Sequence, residues 1–238
     1  MLLFFNKLKH RIQELEFENK SLQMRLEKQK EFIPRFTIFF NNLMASHDIS
    51  LVTSAHIERV AEMVKLALSI FPKEDILKNV PNYDYQVFCD SVYLGAFLHD
   101  LGKFNVSNAI LSKPDSLTEA EFDIVKEHPR LGSIATIDLP LDDIQYNKVI
   151  INNIILHHHS NVDGTGYPDK LVGDNIPYEA RFVAIFDRLE ALLARRSYKT
   201  PKTLDESIMT LEKEGKVDIS ILNLVKENKE LFEKFEIK

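Results

Sequence analysis

Residues Leu141 to Lys170 read "LDDIQYNKVIINNIILHHHSNVDGTGYPDK". Isoleucine is β-branched and suits strands, yet the apolar residues of this stretch recur at helical spacing. A helix is therefore expected, running into three consecutive histidines and then a loop broken by glycines. On a helix His157 and His159 point about 200° apart, so three such residues cannot face one centre, whereas two neighbours can. His158 continues the face of Ile151 and Ile154, and His159 follows Ile155 by one turn. His157 follows Ile150 and Ile154 by seven and three residues, so the periodicity leans towards the later pair without excluding His157.

Outward from this stretch the chain reads as helix after helix. "AHIERVAEMVKLALSIF" carries an apolar stripe at Ile57, Val60, Val64, Leu68 and Phe71. "DYQVFCDSVYLGAFLHDLG" is an apolar helix that stops near Gly102. "SLTEAEFDIVKEHP" opens with Thr118 and Glu121 at capping-box spacing and meets Pro129. "PYEARFVAIFDRLEALLARRSY", "TLDESIMTLEKEG" and "VDISILNLVKENKELFEKF" complete the series. With no run of alternating strands and hairpin signals, the expected class is all-α.

Residues 7–33 differ in kind. Leu8, Ile12, Leu15, Asn19, Leu22, Leu26, Gln29 and Ile33 alternate at four and three residues, which is heptad spacing. Asn19 falls on an a-type position, where a buried asparagine favours a parallel two-stranded register. The expectation is an N-terminal coiled-coil helix over 1–34, ended by Pro34, that makes a homodimer. The alternative is one amphipathic helix packed on its own domain. The remaining residues, 35–238, form one helical domain.

The bulk numbers exclude several classes. The 238 residues carry a net charge of -6, which gives no basic footprint for nucleic acid. The single cysteine, Cys89, rules out a disulfide framework or a Cys-rich zinc site, and a cytoplasmic location is the simplest reading. The start, "MLLFFNKLKHR", lacks a signal-peptide layout, and no apolar run is long enough to span a membrane. No glycine-rich nucleotide-binding motif occurs.

The chemistry-bearing residues are histidines and aspartates. His99-Asp100 ends an apolar helix, where a polar pair needs partners, and Lys103 follows. Taken alone the pair is equally a helix cap. His47-Asp48 reads as a loop or cap. His56 lies on the inward face of its helix, and His128 at a helix boundary; each alone is more often a core residue than a ligand. Asp187 shares its face with Ala180, Val183, Ala184, Ala191 and Ala194, small residues that leave room beside the carboxylate. Together His56, His99, Asp100, His128, His158, His159 and Asp187 form a nitrogen and oxygen donor set too large for one metal and suited to manganese, iron or zinc. Two ions about 3.5–4 Å apart can generate a bridging hydroxide and stabilise a leaving oxygen, so a phosphodiester is the natural substrate class.

The segments "HIERVAEM", "HDLGK", "NAILSKPDSLTEAEFDIVKEHP", "HHSNVDGTGYP" and "ARFVAIFDRLEAL" stand in the order and spacing of the HD-GYP phosphodiesterases, and the chain resembles that branch of the HD superfamily over about residues 50–225. The resemblance implies an HD-type helical bundle that hydrolyses cyclic di-GMP to pGpG, with GMP as a further product to be tested. It selects His158 and His159 as the paired histidines and leaves His157 flanking. It implies one ion on His56, His99, Asp100 and Asp187 and another on Asp100, His128, His158 and His159, with iron or manganese as the metal. Asp100 and Lys103 become the catalytic pair, and Lys103, Gly166, Tyr167, Pro168, Glu190, Arg196 and Lys199 the expected substrate contacts. Departures from the family pattern are Ser160 for Glu, Glu190 for Asp and Ser197 for Pro. Val52 stands where members with a third metal have Glu, so two metals are expected. Two alternatives remain: a cyclic di-GMP-binding module with weak catalysis that passes a signal to partner proteins, and a hydrolase of another cyclic nucleotide.

Overall fold

The structure is a computed structural model of the chain and describes residues 11–21, 23, 51–137, 139, 146–194 and 200–236. The elements among these residues are helical: α1 (Leu51–Ile70), α2 (Lys73–Leu77), α3 (Tyr85–Leu98), a 3-10 turn (Leu101–Asn105), α4 (Asn108–Leu111), α5 (Glu119–Lys126), α6 (His128–Ala135), α7 (Lys148–His157), a 3-10 turn (Gly173–Asn175), α8 (Tyr178–Leu193), α9 (Leu204–Glu214), α10 (Ile219–Glu227), α11 (Lys229–Phe232) and a closing 3-10 turn (Glu233–Phe235). No strand forms among them; a single antiparallel bridge joins Asp163 to Val172. The all-α class is as expected.

The isoleucine-rich α7 is a helix because both its sides are buried. It packs between α3, α6 and α8. Ile150 and Ile154 enter the main core with Phe88, Val92, Phe182 and Phe186. Ile151 and Ile155 enter a second cluster with Leu94, Leu98, Leu101 and Phe104. Two faces of this helix are buried while Lys148 and Val149 face outward, and the tertiary demand for branched aliphatics on those two faces overrides isoleucine's strand preference. Its entry is pinned twice. The Asn147 side chain accepts from the Val149 and Ile150 amides, and the Asn147 amide donates to Ser91 Oγ on α3 at 2.7 Å.

The expected capping box is complete: Thr118 accepts from the Glu121 amide, and Glu121 returns to the Thr118 amide. Pro129, by contrast, closes nothing. The chain breaks at Glu127, and Pro129 lies in the first turn of α6, where its missing N–H is not needed. His128 is thereby the first residue of a new helix.

Two glycines bring that helix against the His99-Asp100 turn. A Cβ on Gly102 would lie 2.5 Å from the Gly132 amide nitrogen and 2.7 Å from the His128 carbonyl carbon. A Cβ on Gly132 would lie 3.0 Å from the Gly102 nitrogen. Backbone meets backbone here, and only glycine on both sides permits it.

In the N-terminal segment residues 11–21 are helical, and Ile12 and Leu15 of the heptad stripe are each 47% exposed, with Asn19 exposed as well. The other stripe positions, Pro34 and His47-Asp48 lie outside the described residues. No described helix is long and apolar enough to cross a membrane.

Candidate metal centre

The seven predicted donors converge from five elements. His56 comes from α1, His99 and Asp100 from the end of α3, His128 from the start of α6, His158 and His159 from just past α7, and Asp187 from α8. They form two groups whose donor atoms lie within 4.8 Å of one another: Asp100 with His128, His158 and His159, and His56 with His99 and Asp187. Asp100 stands between the groups. Its Oδ1 is 3.3 Å from His128 Nε2 and 3.9 Å from His158 Nε2. Its Oδ2 is 3.5 Å from His99 Nε2 and 3.7 Å from His56 Nε2. Asp187 completes the far side, 3.2 Å from His56 Nε2, 3.8 Å from His99 Nε2 and 3.9 Å from His159 Nδ1.

Three of the rings are aimed by carbonyls three residues back in the chain. His99 Nδ1 donates to the Ala96 carbonyl at 2.7 Å, His128 Nδ1 to the Val125 carbonyl at 2.7 Å, and His158 Nδ1 to the Ile155 carbonyl at 3.0 Å. A carbonyl can only accept, so in each ring Nδ1 carries the hydrogen and Nε2 is left as a bare donor. His99 Nε2 is buried and has no hydrogen-bond partner among the described residues. His128 Nε2 and His158 Nε2 face each other at 3.3 Å. Two neutral rings so anchored oppose two lone pairs, an arrangement that suits a cation held by both. The donor set fits divalent metal ions.

Electrostatics keep His128, His158 and His159 neutral. Burial pushes His128 down to about 4 and His159 down to about 3. His158 is held well below the usual histidine range by burial and by the neighbouring His159 and His99. His56 goes the other way. Burial opposes its charge, but hydrogen bonds to Asp187 and Glu190 outweigh that and hold it at about 10. Burial likewise works against Asp100, yet Lys103 and then His99 and His128 keep it well below the usual carboxylate range.

The surrounding residues divide. Lys103, a quarter exposed, donates from Nζ to Asp100 Oδ2 at 2.5 Å. Tyr167 lies against His159, ring centroids 4.8 Å apart, and its amide donates to the His159 carbonyl at 3.2 Å. That seat requires Gly166, since a Cβ there would stand 2.5 Å from the His159 carbonyl oxygen and 2.6 Å from Ser160 Cα. Pro168 follows, half-buried. Arg196 and Lys199, with Ser197, lie outside the described residues.

Glu190 corrects the expectation of a substrate contact. It is 2% exposed and both its oxygens are taken, one by His56 Nδ1 at 2.5 Å and the other by Arg59 Nε at 3.0 Å. It orients a histidine from behind. His157 is the last residue of α7, and its Nδ1 lies 3.9 Å from Asp169 Oδ2, away from the donor groups. The helix angle that separates His157 from His159 is only part of the reason, because α7 stops at His157 and His158-His159 form the turn after it. Ser160 is buried, and its Oγ finds no partner among the described residues. The sequence reading missed Arg59 and the clamp between Arg188 and Asn161. Arg59 had a signal, since it stands one turn beyond His56 on the same helix face.

The chain is similar to several known proteins. The family model described as HD domain matches residues 74–221. A cyclic di-GMP phosphodiesterase of Vibrio cholerae is 36% identical over 160 residues, covering 65% of this chain and 31% of that protein. The cyclic di-GMP phosphodiesterase response regulator RpfG of Xanthomonas campestris is 42% identical over 120 residues, 50% of this chain and 31% of its own. The 3'3'-cGAMP-specific phosphodiesterase 2 of Vibrio cholerae is 32% identical over 199 residues, 82% of this chain and 33% of its own. The chain thus spans about a third of the length of these relatives. With the match to the HD domain and the "HHSNVDGTGYP" run beside the convergent donors, the chain belongs to the HD domain family, in its HD-GYP branch.

Proposed function

We propose that this centre binds two divalent ions, iron or manganese, and hydrolyses a phosphodiester bond of a cyclic dinucleotide, opening cyclic di-GMP to linear pGpG, with GMP as a further product to be tested. The observation that carries the reading is the pair of facing Nε2 atoms of His128 and His158, 3.3 Å apart, beside a carboxylate whose two oxygens address different donor groups. His56, His99, Asp100 and Asp187 would hold one ion, and Asp100, His128, His158 and His159 the other. Bound there, such ions supply a nucleophile at neutral pH and charge stabilisation at the phosphoryl oxygens.

The chain's own residues do the rest. Asp100 lies between the two groups and holds both in register. Lys103 brings a cation to the same carboxylate and balances charge that develops on the phosphate. Tyr167, seated on His159 by Gly166 and followed by Pro168, forms a wall of the substrate cleft, and Arg196 and Lys199 are further phosphate contacts. Residues 1–34 act as a coil that pairs two chains and passes a signal from partner proteins to the domain of residues 35–238; the heptad spacing of the stripe from Leu8 to Ile33 supports this reading. The single cysteine supports a cytoplasmic setting.

A second substrate has its own support: the relative matched over 82% of this chain is named as specific for 3'3'-cGAMP. The test is turnover by protein loaded with Mn(II) or reduced iron, with metal content measured and both cyclic dinucleotides offered. Two ions per chain with no hydrolysis of either would leave a binding module. Asp100→Ala is expected to abolish turnover, and a fully active variant would refute the site.

A further inference from the structure

His56 is aimed differently from its partners. His99, His128 and His158 each fix Nδ1 on a carbonyl three residues back in their own chain. His56 Nδ1 instead meets Glu190, 134 residues away on α8. Its ring direction is therefore set by whatever sets Glu190. That residue is Arg59, whose Nε donates to the second Glu190 oxygen at 3.0 Å while its Nη2 donates to the Phe235 carbonyl at 2.7 Å. A planar guanidinium makes both bonds at once, which a single ammonium cannot do in the same geometry. Arg59 also places a permanent positive charge beside a carboxylate that burial would otherwise leave with one partner.

The far end is firmly built. The closing 3-10 turn Glu233–Phe235 follows Phe232, whose ring stacks on Phe186 at 5.8 Å. Glu236 accepts from the Leu204 amide at the start of α9 at 2.5 Å. Arg59 thus runs from an anchored C-terminal turn to the back of one donor histidine.

We propose that Arg59 is a positioning residue for the metal centre: through Glu190 it holds His56 in its donor direction, and it makes the C-terminal turn part of that scaffold. The proposal rests on the metal reading above. Removing a partner that orients a ligand histidine weakens metal binding by about 10–100-fold. The loss falls on the His56 side, because His99, His128 and His158 carry their own carbonyl anchors and none of them leans on Glu190.

The experiment is Mn(II) titration of metal-free full-length protein by calorimetry, with Arg59→Met made in two backgrounds. In His158→Ala, which keeps the His56 side, Arg59→Met is expected to raise the Kd about 10–100-fold. In His56→Ala it is expected to leave the Kd within about twofold, since nothing remains for Arg59 to position. Equal losses in both backgrounds would mark general loosening and overturn the proposal. Unchanged affinity in the His158→Ala background would overturn it while leaving the metal reading intact. Wild-type protein that binds no ion overturns both. Should Arg59→Met fail to fold, Arg59→Lys carries the test: it keeps the charge but not both bonds, and wild-type affinity would refute the role of Arg59.

Discussion

Gly102→Ala isolates the step from backbone packing to metal geometry. The substitution changes no charge and no donor. Gly102 sits in the 3-10 turn after Asp100, without a positive φ, so alanine meets no conformational penalty there. The whole effect is steric. The new Cβ would fall on the His128 carbonyl oxygen and stand 2.5 Å from the Gly132 amide nitrogen, whereas ordinary contact begins at 3.4 Å, so α6 and the turn must part by more than the roughly 0.9 Å that the Gly132 contact alone demands. The opposing atoms are backbone and cannot swing aside. Overpacking against backbone costs about 3 kcal/mol, the upper end of the usual range, which lowers Tm by roughly 6–12 °C in a domain of this size. Because His128 opens α6 and Asp100 precedes the turn, the shift separates these two donors by more than the roughly 0.5 Å that a functional constellation tolerates. Calorimetric Mn(II) titration with thermal unfolding checks this. The ion on the His128 side is expected to be lost or weakened at least tenfold, and the ion on His56, His99 and Asp187 to be kept. Wild-type affinity for both ions, with Tm within a degree or two, would refute the claim that glycine contact sets the His128 position.

Further outcomes follow from the site. Loading the His56 side must displace a proton held with a pKa of about 10, so its affinity should rise about tenfold per pH unit between pH 6 and 8. His128 and His159 stay neutral down to about 4 and about 3, so the other ion should bind with little pH dependence there; calorimetry in buffers of different ionisation heat, giving equal proton release for both ions, would contradict this. His157→Ala should keep both ions while His159→Ala loses one, which metal analysis decides. Ser160→Ala should leave stability unchanged or raise it by up to about 1 kcal/mol, since it removes a buried hydroxyl that has no partner among the described residues; a loss of more than about 1 kcal/mol in urea unfolding would mean that the hydroxyl is satisfied.

Much of the site was legible because its donors are chemically conspicuous. Histidines and aspartates at the ends of apolar helices stand out against their neighbours, and the order of the motifs assigned them together. Ser160 was visible as a missing carboxylate, and the structure adds that its buried hydroxyl has no partner among the described residues. Glu190, expected as a substrate contact, has its oxygens on His56 and Arg59. Nothing local in the chain announces that contact.

By itself the sequence determined the helical class and the capping box at Thr118, and it named the candidate donors, since periodicity, caps and side-chain chemistry are properties of neighbouring residues. It also carried an isoleucine-rich segment whose helical fate follows from burial on two sides. Only the tertiary structure decided which nitrogen of each ring is free, which donors face one another, and that Arg59 and the C-terminal turn stand behind His56. Those outcomes depend on distances between segments as much as 176 residues apart, and long-range packing, down to two glycines in backbone contact, is what sets them.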